Sequence, residues 1–98
     1  DLAPTLARLS ADLDAGWRQA ETQARLRDPR AGRAAHALRS LLLLAGENDL
    51  SEQFGLLERA AGEGDWATTD RLLGFLAEEI AAARARLVTA TAAQVRLP

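Results

Sequence analysis

Residues 28–50, DPRAGRAAHALRSLLLLAGENDL, hold a helix start, an apolar periodicity, a helix stop and the chain's single histidine. Asp28-Pro29 reads as an N-cap followed by proline at the first helical position, where its missing N–H is harmless. At 100° per residue, Ala31, Ala34, Ala35, Leu38, Leu41, Leu42 and Ala45 gather in one arc, and His36 lies opposite it. Gly46-Glu47-Asn48 closes this helix, expected over about residues 29–46. A helix whose apolar arc covers only one side must pack that side on others, so the flanking segments decide the class.

Upstream, Leu2, Leu6, Leu9, Leu13, Trp17, Ala20 and Ala24 repeat every three or four residues and predict a helix over about 2–26. Downstream, Asp49 with Glu52 has the form of a capping box, and Leu50, Phe54, Leu57 and Ala61 make the stripe of a helix over about 50–62. Gly62-Glu63-Gly64-Asp65 is a turn whose aspartate can cap a last helix over about 66–94, with Leu72, Leu76, Ile80, Ala83 and Leu87 inward. Four amphipathic helices joined by short links predict an all-α, antiparallel up-down-up-down four-helix bundle whose long C-terminal helix overhangs the rest.

The totals agree with one domain spanning residues 1–98. The 98 residues are 48% hydrophobic and 27% charged, enough for one core and too few for two. A net charge of −2 argues against nucleic acid, whose phosphates demand clustered Lys and Arg. Without cysteine there is no disulfide, thiolate metal site or cysteine nucleophile, and one histidine excludes most imidazole metal sites. The longest apolar run, Leu41 to Gly46, is far short of the roughly 20 residues of a membrane helix. A start at Asp1 and the absence of methionine read as a domain cut from a longer polypeptide.

Projected around the helix axis, Gly32, Arg39, Ser40, Leu43 and Glu47 fall within about 60° of His36, with Arg33 at the sector's edge. Small residues one turn to either side leave the imidazole uncovered, and Leu43 puts an apolar group on a face expected to be wet. Neutral imidazole is a competent nucleophile near pH 7, and guanidinium groups can stabilise the charge of an arriving phosphoryl group. On the next helix, Ser51, Gly55 and Gly62 share a side with Glu58, where small residues would admit a partner's helix.

Ala35-His36-Ala37-Leu38-Arg39-Ser40, with Gly46 ten and Leu50 fourteen residues after the histidine, then Leu57-Glu58 and the Gly64-Asp65 turn, resembles the signature of histidine-phosphotransfer domains. The similarity covers roughly residues 31–80, the first helix matching in pattern only. The resemblance implies that His36 is the phosphoacceptor between receiver-domain aspartates of a multistep two-component phosphorelay. It also implies that Arg39 stabilises the phosphoryl group and that Glu58 orients the imidazole from the adjacent helix. Gly32, Arg33, Ser40, Leu43, Glu47, Ser51 and Gly55 would then contact the receiver. Arg39 stands where the family usually has lysine, and Ser40 and Leu43 where it often has glycine, so this docking face is bulkier and greasier.

The domain would need no cofactor of its own, magnesium belonging to the receiver partner. It would act as a monomeric carrier without independent catalytic machinery, in the cytoplasm, free or as the cytoplasmic part of a membrane-anchored hybrid sensor histidine kinase. A degenerate bundle that binds a receiver or kinase without being phosphorylated is the alternative, and a dimerisation bundle built on the overhanging helix is a third.

Overall fold

The structure, a computed structural model, describes residues 3–96: four α-helices and, among these residues, no strand. They are α1 (Ala3–Arg25), α2 (Ala31–Leu44), α3 (Asn48–Gly62) and α4 (Trp66–Arg96). Leu2, expected to open the first stripe, lies outside the described residues. The helices form a bundle 51 × 18 × 17 Å in extent, in which α1 packs on α2 and α4, and α3 packs on the same two.

The core follows the stripes. Leu13, Trp17, Ala20 and Ala24 of α1 are buried with Ala31, Ala35, Leu38 and Leu42 of α2 and Leu50, Phe54, Leu57 and Ala61 of α3. Trp17 and Phe54 meet edge to face, ring centroids 5.9 Å apart at 86°, the geometry favoured by the aromatic quadrupole. In α4 the inward row is Thr69, Leu73, Leu76, Ile80, Ala83 and Leu87. Leu72, expected in that row, is half-buried instead. Alternating steps of four and three through 69, 73, 76, 80, 83 and 87 keep one seam toward the bundle, and position 72 falls beside it. Thr69 tolerates full burial because its hydroxyl donates to the Asp65 carbonyl at 2.9 Å.

Three helix ends share one device. Glu47, Asp65 and Asp28 each donate a backbone N–H to a carbonyl five residues back, and the residue before each lies at positive φ. These are Schellman caps. Two use glycine, Gly46 at φ 77° and Gly64 at φ 72°, where a Cβ would be strained. The third uses Arg27 at φ 57°. Its guanidinium donates to both carboxylate oxygens of Asp70, at 2.6 and 2.7 Å, and lies 5.5 Å from the Trp66 ring centroid. Tertiary partners on α4 thus hold a side chain in a backbone conformation that local preference disfavours.

Two helix starts differ from expectation. α2 begins at Ala31, not Pro29, because Asp28 caps a preceding turn: its carboxylate accepts the Arg30 N–H at 2.9 Å and its carbonyl accepts the Ala31 N–H at 3.0 Å. α2 also ends at Leu44, two residues early. The capping box at Asp49 and Glu52 does not form. α3 starts at Asn48, straight out of the preceding turn, so Asp49 already lies in its first turn, and the residue before the helix, Glu47, caps with no side-chain bond. Asp65 does cap α4, accepting from the Thr68 N–H at 3.2 Å and hydroxyl at 2.7 Å.

These carboxylates should make the fold modestly acid-sensitive. Thr68 donors hold Asp65 below the usual carboxylate range, and Arg27 does the same for Asp70. A folded pKa depressed below the unfolded one contributes stability above the unfolded value, near 4, and loses it as pH falls through the folded value. The urea midpoint, followed by circular dichroism, should therefore be flat from pH 7 to about 5 and fall steadily toward pH 2. An unchanged midpoint at pH 3 would contradict the assignment.

Candidate functional site: the seam between α2 and α3

Gly32 brings two backbones together. A Cβ there would stand 3.2 Å from the Glu58 carbonyl oxygen and 3.5 Å from the Gly62 nitrogen, so α2 and α3 touch main chain to main chain. One turn on, His36 Nδ1 lies 3.0 Å from Glu58 Oε2. One turn further, Arg39 Nη1 donates to Glu58 Oε1 at 2.9 Å, and the Arg39 carbonyl accepts from the buried Ser51 hydroxyl at 3.1 Å. As α2 advances through 32, 36 and 39, its contacts on α3 retreat through 62, 58, 55 and 51.

The imidazole is open, its side chain 63% exposed. Burial works against ionisation of Glu58, but the hydrogen bonds from Arg39 and His36, with their charge, outweigh it, and the carboxyl lies below its ordinary range. Glu58 is thus an anion and an acceptor, which makes Nδ1 the donor. In the neutral imidazole the lone pair then sits on Nε2, which forms no hydrogen bond among the described residues. A carboxylate behind one imidazole nitrogen orients the ring and raises the basicity of the other. An imidazole so placed can act as a nucleophile toward a group that reaches the surface.

Several residues expected on the open face are elsewhere. Gly32 is buried under α3, and Ser51 is 2% exposed and spends its hydroxyl on Arg39. The space beside Gly55 is filled by the Arg39 guanidinium, with Cζ and Nε each 3.4 Å from where a Cβ would be. Glu47 lies past the end of α2 and accepts from Arg86 of α4 through Nε at 2.8 Å and through Nη2. A projection of one helix marks the sector around His36 but not the neighbour covering part of it. What stays exposed is Arg33, Ser40 and Leu43, the last 56% exposed. Arg33 also borders a groove of about 230 Å³ between α1 and α2, lined with Gln19, Gln23 and Arg30. No pattern within a single helix signals that groove, which needs the α1–α2 register.

The chain matches no family model, no curated protein and no solved structure.

The close backbone contact yields a prediction. Gly32→Leu drives a side chain into the α3 backbone, which has no rotamer to yield with, so the variant should unfold about 1–3 kcal/mol more easily. Urea titration checks this, and a stability equal to the parent would mean that the seam is not close-packed.

Proposed function

We propose that this domain is a histidine-containing phosphotransfer module in which His36 Nε2 takes a phosphoryl group from one receiver aspartate and delivers it to another. The observation that supports it most is the exposed imidazole with Nδ1 held at 3.0 Å by an ionised glutamate of the adjacent helix. In the transfer, the Nε2–P bond forms as the P–O bond of the aspartyl phosphate breaks. The aspartate leaves as a carboxylate, and the Nδ1 proton stays against Glu58. Magnesium belongs to the receiver. Arg33, Ser40 and Leu43 are the exposed surroundings a receiver would cover, Leu43 supplying the apolar contact.

The reading includes an antiparallel up-down-up-down topology, supported by the opposed order of α2 and α3 contacts and by two pairs to α4, Arg27–Asp70 from just past the end of α1 and Arg84–Asp14 from its middle. It also includes a cytoplasmic setting, alone or within a sensor kinase. No helix among the described residues is long and apolar enough to cross a membrane.

One observation favours a second reading, a receiver-binding bundle that is never phosphorylated: Arg39 is already engaged by Glu58 through Nη1, its guanidinium drawn toward α3. Incubation with phosphorylated receivers separates the two. Phosphate that is acid-labile and base-stable on the domain supports transfer. Binding of several receivers without any label supports the second reading.

A further inference from the structure

The Arg39 side chain turns inward, against α3. Its guanidinium occupies the space a side chain at position 55 would fill, with Cζ, Nε and Nη1 at 3.4, 3.4 and 3.7 Å from a Cβ built there. Gly55 lies mid-helix and outside the positive-φ residues, so its backbone does not require glycine. Arg39 Nε is buried without an acceptor. A guanidinium that leaves a donor unsatisfied is not held in that place by its own hydrogen bonding alone. Two things keep it there: the vacancy at Gly55 and the 2.9 Å bond from Nη1 to Glu58 Oε1.

Glutamate has three rotatable side-chain bonds, and an unrestrained carboxylate would visit many orientations. Here one oxygen is pinned by Arg39 and the other faces Nδ1. We propose that Gly55 and Arg39 are positioning residues for His36: the missing side chain at 55 seats the guanidinium that clamps Glu58, and the clamped carboxylate sets which imidazole nitrogen carries the proton. Gly55 then serves the inside of the seam, where the small residue suggested a notch for a partner, and Arg39 acts through Glu58 before any phosphoryl group arrives. The benefit to transfer rests on the phosphotransfer reading. The clamp itself does not.

Two-bond proton–nitrogen NMR correlation on the ring-labelled domain, above the pH at which the imidazole is neutral, reads the tautomer directly. In the parent the Nδ1–H form predominates. In Arg39→Gln and in Gly55→Leu, whose side chain takes the guanidinium's place, the ratio of Nδ1–H to Nε2–H falls roughly fivefold, about what one ordinary hydrogen bond contributes. Arg39→Lys restores part of it, since it keeps a charged donor without the planar fork. Circular dichroism confirms that each variant is folded. If Gly55→Leu does not fold, Arg39→Gln decides alone. A parent-like ratio in Arg39→Gln overturns the proposal, and a parent-like ratio in folded Gly55→Leu overturns the part played by Gly55. No phosphoryl donor is present, so a failure of phosphotransfer leaves this outcome untouched.

Discussion

If His36 is the phosphoacceptor, the His36→Gln variant should take no acid-labile phosphate from a phosphorylated receiver, whereas the parent domain should, and its stability should stay within about 0.5 kcal/mol of the parent. The chemical half follows from there being one histidine and no cysteine in the chain. Serine, threonine and carboxylate side chains can hold phosphate too, but none yields the combination of acid lability and base stability of a phosphoramidate. The structural half follows from exposure: a side chain 63% open to solvent contributes little packing, and the glutamine amide can still donate to Glu58. Label surviving in His36→Gln would place the acceptor elsewhere. An unfolded variant would mean that the imidazole has a structural duty the geometry does not indicate.

Phe54→Ala should lower the unfolding free energy by about 3–5 kcal/mol, the largest stability loss expected from a single core truncation in this chain. Phe54 is fully buried, heads the largest buried side chains and meets Trp17 of α1 edge to face. Removing the ring strips apolar contacts from two helices at once and leaves a cavity that helices anchored elsewhere by ion pairs cannot close. Since a domain of this size is typically stable by roughly 5–15 kcal/mol, a large fraction of the fold's margin goes with it. Guanidinium titration followed by tryptophan fluorescence and circular dichroism measures the loss. A change below about 1 kcal/mol would show that the Trp17–Phe54 contact is not central to the core. Because Phe54 precedes Glu58 by one turn on α3, the variant should, if the phosphotransfer proposal holds, also accept phosphate more slowly.

Four helices and most of their buried rows were legible from apolar spacing alone, because burying a stripe is the main thing an amphipathic helix gains from a neighbour. The misses have specific causes. Leu73 and Thr69 escaped because Leu72 continues the same spacing almost as well, and only contact with the other helices decides between adjacent rows. Asp28-Pro29 and Asp49 carry genuine capping chemistry, but a turn absorbed the first and an early helix start bypassed the second. At the site, the exposure of His36 followed from the arc opposite it. The inward turn of Arg39, the burial of Ser51 and the pairing of Glu47 with Arg86 did not, since each depends on what another helix presents at that height.

The contact at Gly32 has a consequence for how such a surface can diverge. Where two helices meet through side chains, their separation can drift as rotamers are exchanged. Where they meet main chain to main chain, the distance is set by atomic radii and has nothing to adjust. The spacing between His36 and Glu58, one turn away, inherits that rigidity. Positions 33, 40 and 43 bear on no such contact and can be replaced without disturbing the spacing of His36 and Glu58. At position 32 even a single Cβ requires the facing α3 backbone to give by a few tenths of an ångström.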